Sequence, residues 1–425
     1  MNHVPPLASF HLLERTGSTA PRLADPGAEV LRALDGLRFE TAHLAGKRIA
    51  VAVGSRGIAS LRDIVRAACG WLAAQGANPF IFPAMGSHGG ATAEGQRQVL
   101  AGYGVTQEFT GAEIRSSMET VSLAATPEGF PVFMDRNASE ADGVLVISRS
   151  KPHTRFSGKI ESGLVKMMAI GMGKAEGAAE YHRLATRHGF EALFRSVASR
   201  VVSSGKILAG VSVVENALHE IAVVRAAKPG EMIALDEEML ALAKTLSPRI
   251  PFSRLDLLIV DEIGKNISGS GMDTNVIGRG LGVLPGAEPQ ISLIYARSLT
   301  RESEGNSLGV GMADLIHERL YQSADFEKMY VNARTSLNPE MARMPMRFGS
   351  DREALGFALS SLGSPGRAEQ RAVSIANTLS LSRILISEAM VREARELSGW
   401  RVHPGSAQLA FDAQGNLPLP LAHSH

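Results

Sequence analysis

Between Lys47 and Gly104 the chain alternates two hydrophobic patterns, and this alternation limits the possible folds more than any other feature. Lys47-Arg-Ile-Ala-Val-Ala-Val53 is a short β-branched run that ends at Gly54, the pattern of a buried strand. Leu61, Ile64, Val65, Ala68 and Leu72 then fall on one helical stripe. Asn78-Pro-Phe-Ile-Phe82 predicts a second strand. Thr92 to Tyr103 predicts a second helix, with Thr92 as its N-cap and Gly102 near its end. Strand, helix, strand, helix predicts a parallel sheet with right-handed crossovers.

The theme continues with strands at Asp142–Ile147 and Ile207–Val214 and a helix over Phe190–Val202. Leu246-Ser-Pro-Arg-Ile-Pro251 suits a linker, after which Leu255–Asp261, Ile291–Tyr295 and Ile384–Ile386 read as further strands. The expected fold is α/β, two domains built on mainly parallel sheets with flanking helices, over residues 1–250 and 251–400. Residues 401–425 are expected to form a C-terminal tail that can pack back on the first domain.

With 425 residues, 44% hydrophobic and 20% charged, the chain has room for such cores and is not a disordered polyelectrolyte. Its net charge is +1 with no run of Lys or Arg, so nucleic acid is not an expected partner. No apolar run approaches the ~20 residues that span a bilayer, and Met1 to Ala20 does not read as a signal peptide. A cytoplasmic protein is the expectation. Cys69, the only cysteine, sits in the apolar stripe with Trp71 and Leu72 and reads as a core thiol.

Ligands of open α/β sheets bind beyond the carboxyl ends of the strands. Three predicted ends carry polar residues: Gly54-Ser55-Arg56-Gly57, Gly86-Ser-His88-Gly, and Ser148-Arg-Ser-Lys-Pro-His153-Thr-Arg-Phe-Ser-Gly158. Each alone is also what an ordinary loop carries; three on adjacent strands predict a site. Lys159 to Lys174 mixes glycine, lysine and methionine without clear periodicity and reads as a loop or a helix start near a ligand. His182, in Glu180-Tyr-His-Arg183, reads as part of a short helix. Neither His182 nor His188 has a carboxylate at metal-ligand spacing, so spacing alone assigns no metal.

In order, Arg56, Gly86-Ser-His88, His153-Thr-Arg-Phe156-Ser-Gly158, Ser162-Gly163 with Lys166, and His182 resemble the pattern of the nickel-dependent lactate racemase family. The resemblance implies two α/β domains with the active site in the cleft between them. It implies a nickel-pincer nucleotide, a pyridinium-3-thioamide-5-thiocarboxylic acid mononucleotide whose nickel is bound by carbon and sulfur. By position Lys166 would carry the cofactor, with Ser55 and Gly163 beside it, and His182 would be the nickel ligand. Lys159 is a rival for the attachment. His88 and His153 would be paired acid–base residues, and Arg56 would hold the substrate carboxylate.

The implied activity is racemisation or epimerisation of a 2-hydroxy acid by reversible hydride transfer, and enzymes of cofactor biosynthesis are implied partners. Lactate racemases carry Tyr-Gln-x-x-Lys after an Asp-x-Asn element, whereas here Asp273-Thr-Asn275 is followed by Val-Ile-Gly-Arg. A substrate other than lactate is therefore expected, with Lys265 and Asn275 as substitute contacts. Two other readings compete. An NAD-type dehydrogenase would carry GxGxxG after the first strand, and the chain does not. A non-catalytic small-molecule or cofactor-binding protein of the same fold would have lost some of His88, His153, Lys166 and His182, and all four are present.

Overall fold

The computed structural model describes residues 7–16, 21–39, 43–55, 57–280, 286–335 and 339–419. Sixteen strands lie in the described residues. In chain order they are β1 (Phe10–Arg15), β2 (Arg48–Val53), β3 (Asn78–Pro83), β4 (Glu113–Ile114), β5 (Thr120–Leu123), β6 (Val132–Asp135), β7 (Gly143–Arg149) and β8 (Ile207–Glu215). The rest are β9 (Ile221–Ala227), β10 (Arg254–Ile263), β11 (Gln290–Leu299), β12 (Leu315–His317), β13 (Met346–Phe348), β14 (Ala372–Ile375), β15 (Arg383–Ser387) and β16 (Trp400–Val402). The chain divides into two compact units, Ala20–His153 with Ser157–Ser247, and Met1–Thr19 with Thr154–Phe156 and Pro248–His425.

The first unit is built on a six-stranded sheet in the order β4-β3-β2-β7-β8-β9. β2 pairs in parallel with both β3 and β7, β7 runs parallel to β8, and only β9 is antiparallel. β2 is buried from Ile49 to Val53, as its uninterrupted apolar run requires of a strand covered on both faces. The helix Leu61–Ala74 buries Leu61, Ile64, Val65, Ala68 and Leu72 against it. Cys69 lies in that core, where burial pushes its thiol up to about 12, too high for a thiolate nucleophile. Thr92 caps the helix Ala93–Gly102 by accepting from Gly95 N–H. β5 and β6 form a separate hairpin.

The second unit holds an eight-stranded sheet, β13-β12-β11-β10-β14-β15-β1-β16. Strands β10 to β14 are parallel neighbours, while β15, β1 and β16 extend the sheet antiparallel. The mainly parallel α/β class holds for both units. The start of the chain departs from the expected 1–250 domain, because β1 buries Phe10 and Leu13 against β15 of the second sheet. The tail departs too: Leu409 and Leu417 are buried in the second unit's core beside Phe10, Leu257 and Tyr295. Among the described residues no helix is long and apolar enough to cross a membrane.

Candidate active site

In the first sheet β2 is flanked by β3 on one side and β7 on the other, so the chain order reverses there. The carboxyl ends of these three parallel strands sit together at the kind of switch point where α/β sheets bind ligands. β2 runs into Gly54 and Ser55, β3 into Gly86-Ser-His88, and β7 into Ser150-Lys-Pro-His153. Arg56 lies outside the described residues. Ser55 Oγ hydrogen-bonds Nδ1 of His88, and Tyr103 donates its hydroxyl to the Ser55 carbonyl at 2.7 Å. His88 is exposed and His153 half-buried.

The segment after Ser162 is helical, where the sequence showed no clear period. Gly163–Lys166 is α-helix, Met167–Gly171 is a π turn, and Lys174–His188 is α-helix again. The π turn breaks the 3.6-residue period, which hides the helix from periodicity arguments. It lies on the sheet ends: Gly171 C=O accepts from Gly86 N–H at 3.2 Å. A Cβ on Gly54 would come within 2.8 Å of Met167 Cε, so the residue next to Lys166 presses on the end of β2. Lys159, by contrast, is exposed in the preceding loop, its N–H donated to Glu191 at 3.0 Å.

Two buried carboxylates shape the loops, and sequence reading passed over both. Glu161 accepts from the N–H groups of His153 (2.7 Å) and Gly158 (2.9 Å) and pairs with Lys244 at 2.5 Å. Asp236, on the helix Met232–Leu246, accepts from Leu164 N–H (3.0 Å) and Val165 N–H (2.7 Å), capping the short helix that carries Lys166. Gly163 has φ +88°, and a Cβ there would lie 2.3 Å from Asp236 Oδ1. Its glycine character therefore serves this cap. The signal in sequence was an acid on the buried Met232–Leu235–Met239–Leu240 stripe.

Burial raises the Asp236 carboxyl to about 7, against the two N–H donors that favour its charged form. With a folded value above the unfolded one near ~4, the folded protein holds a proton that the unfolded chain releases. Stability should thus fall as pH rises from about 4 to about 7, by at most about 1.4 kcal/mol per unit, and level off above. Melting curves of wild type and Asp236→Asn across this range test it. The variant should lose that part of the slope, and an unchanged slope would refute the assignment.

His182 lies on the helix Lys174–His188, half-buried, with its ring edge-on to Phe190 at 5.8 Å. Nδ1 stands 2.5 Å from the Ala178 carbonyl, so Nδ1–H donates to it, and in the neutral ring the lone pair is on Nε2. That is the tautomer of a metal-binding imidazole. Among the described residues no three His, Cys, Asp or Glu side chains are gathered as a metal site. Lys265 and Asn275 belong to the second unit. The Lys265 ammonium braces its own loop on Gly269 C=O at 2.7 Å, and exposed Asn275 donates to Asp273 at 3.1 Å.

No family model matches the chain, and no curated protein matches it. Among solved structures it is similar to the lactate racemase apoprotein from Thermoanaerobacterium thermosaccharolyticum, with a TM-score of 0.53 and 15% identity over 86% of this chain and 94% of that one. A protein from Thermotoga maritima overlaps with a TM-score of 0.48 and 14% identity, over 78% of this chain and 83% of that one. At such identities the likeness is one of fold. The chain shares the fold of the lactate racemase apoprotein.

Proposed function

We propose that the chain is a racemase or epimerase of a 2-hydroxy acid other than lactate, working with a nickel-pincer nucleotide attached to Lys166 and completed by His182. The observation that carries the reading is the packing of the Met167–Gly171 turn, next to Lys166, on the ends of β2 and β3, through Gly54 and the Gly86 that precedes His88. The same packing favours Lys166 over Lys159. The residues fit the group: a nucleotide that brings carbon and sulfur donors asks the protein for one more ligand, and the His182 tautomer supplies an imidazole lone pair suited to nickel.

When bound, that group supplies the acceptor and donor of the carbon-linked hydrogen. The chain's own residues handle protons and charge. One of His88 and His153 takes the hydroxyl proton of one enantiomer, and the other serves its mirror image. An imidazole suits both directions near neutral pH. Arg56 is assigned to the substrate carboxylate by sequence position, with Lys265 and Asn275 as further contacts. Enzymes that build the cofactor, in the cytoplasm, are the implied partners.

The test is intact mass and nickel content of protein co-expressed with the cofactor-building enzymes. Wild type should carry a mass increment and nickel. Lys166→Ala should lose the increment, Lys159→Ala should keep it, and His182→Ala should lose or weaken the nickel. Absence of increment and nickel in wild type, with the same enzymes loading a lactate racemase, would refute the reading.

A further inference from the structure

Lys174 is the least expected residue of the first unit. Its side chain is completely buried, yet its backbone has φ +54°, a region that costs a non-glycine residue about 1 kcal/mol or more. Its ammonium meets Asp135 Oδ2 at 2.9 Å, the Pro83 carbonyl at 2.5 Å and Gln96 Oε1 at 3.2 Å. Asp135 and Gln96 are as buried as Lys174. Burial lowers the ammonium and raises the carboxyl, and their mutual attraction opposes both shifts.

The ammonium can only donate, so the acceptor end of the Gln96 amide must face it and the NH₂ must face away. That NH₂ donates to the carbonyls of Gly86 (2.9 Å) and His88 (3.2 Å). With Pro83 C=O held by Lys174 and Gly86 N–H by Gly171 C=O, the turn from the end of β3 to His88 is gripped at four backbone groups. Apolar side chains often replace a buried ion pair without loss of stability. Here the pair ends on the backbone of the turn that carries one exposed imidazole.

We propose that Asp135, Lys174 and Gln96 form a buried positioning relay for His88, fixing its backbone so that the ring stands against Ser55. None of the three is a catalytic residue; they act through the turn. Lys174 opens the helix that follows the π turn, eight residues after Lys166. The relay's role in turnover rests on the isomerase reading, whereas its effect on His88 does not.

The deciding measurement is the ring C–H signal of His88 by NMR in the cofactor-free protein, assigned by its loss in His88→Asn. Ser55→Ala gives the signal of a ring without its hydroxyl partner. Gln96→Met should move the His88 signal toward that position and leave the His182 signal in place. Gln96→Glu, which keeps an acceptor for Lys174 but cannot donate to both carbonyls, should do the same. In the loaded enzyme both variants should lower kcat by about 10- to 100-fold with little change in KM.

A His88 signal at its wild-type position in folded Gln96→Met or Gln96→Glu would overturn the relay. Should Gln96→Met fail to fold, the near-isosteric Gln96→Glu decides between the two outcomes. A wild type that takes up no nickel would refute the isomerase reading and leave the NMR comparison intact.

Discussion

If the proposed isomerase function holds, His88→Asn and His153→Asn should each cut turnover by about 10²- to 10⁴-fold while the mass increment and the nickel of the loaded protein stay in place. Asparagine is close to imidazole in size and can keep a polar contact with Ser55, but it cannot take a proton at neutral pH. His88 stands on the turn after β3, and His153 stands on a loop where its N–H is fixed by Glu161, so the two histidines come from separate supports. Each variant should therefore fail with one enantiomer first. In single-turnover experiments one variant should still form 2-keto acid from the D acid and the other from the L acid. Equal loss with both enantiomers in both variants would contradict the two-base assignment. Racemisation at the wild-type rate would remove these histidines from the chemistry.

What the sequence disclosed follows from how local each signal is. β2, the helix Leu61–Ala74, β3 and the Thr92 cap are short, periodic and self-contained, and the structure has them where the pattern predicts. β1 has no such signal: it is six residues long and its partners Arg383 to Ser387 lie near the other end of the chain. The helix carrying Lys166 was hidden by the π turn that follows it. Lys174 and Asp236 were missed for another reason. A polar residue inside an apolar stripe looks like an interruption until the groups it satisfies are known, and these lie far away in the sequence. His88, His153 and His182 could be named from chain order, but the contact of His88 with Ser55 and the tautomer of His182 required coordinates.

Asp351→Ala should be the most destabilising single change in the second unit. Arg297, Asp261 and Asp351 are all fully buried. The guanidinium grips Asp351 with Nε at 2.9 Å and Nη2 at 3.0 Å, and a third nitrogen pairs with Asp261. Asp351 also accepts from the Tyr295 hydroxyl (2.7 Å), from Arg319 (3.0 Å) and from Leu417 N–H (2.9 Å), which anchors the C-terminal segment. Burial pushes its carboxyl up, but the Arg297 guanidinium and these donors outweigh burial and hold it below the ordinary range. Its contribution is thus present above the unfolded value and is lost as pH falls through the lower folded one.

Alanine would leave Arg297 with Asp261 as its one buried carboxylate partner, take the acceptor from its Nε, and leave Tyr295 and Leu417 N–H without theirs. Breaking one partner of a buried pair costs about 3–5 kcal/mol, or roughly 6–20 °C in Tm for a unit of this size. Asp351→Asn, which keeps an acceptor oxygen, should cost less. The network lies just before the ends of β10 and β11, since Asp261 precedes Ile263 and Arg297 precedes Leu299 by two residues. The loop that carries Lys265 starts at the end of β10, and Lys265 N–H donates to Ser303, just after β11, at 2.9 Å. Calorimetry of the two variants separates the outcomes. A graded loss, Ala worse than Asn, fits a carboxylate that holds these strand ends by charge and acceptor count. A Tm within about 2 °C of wild type for Asp351→Ala would mean that the unit repacks without it, and that this ion cluster is not what keeps the second sheet's loops in place.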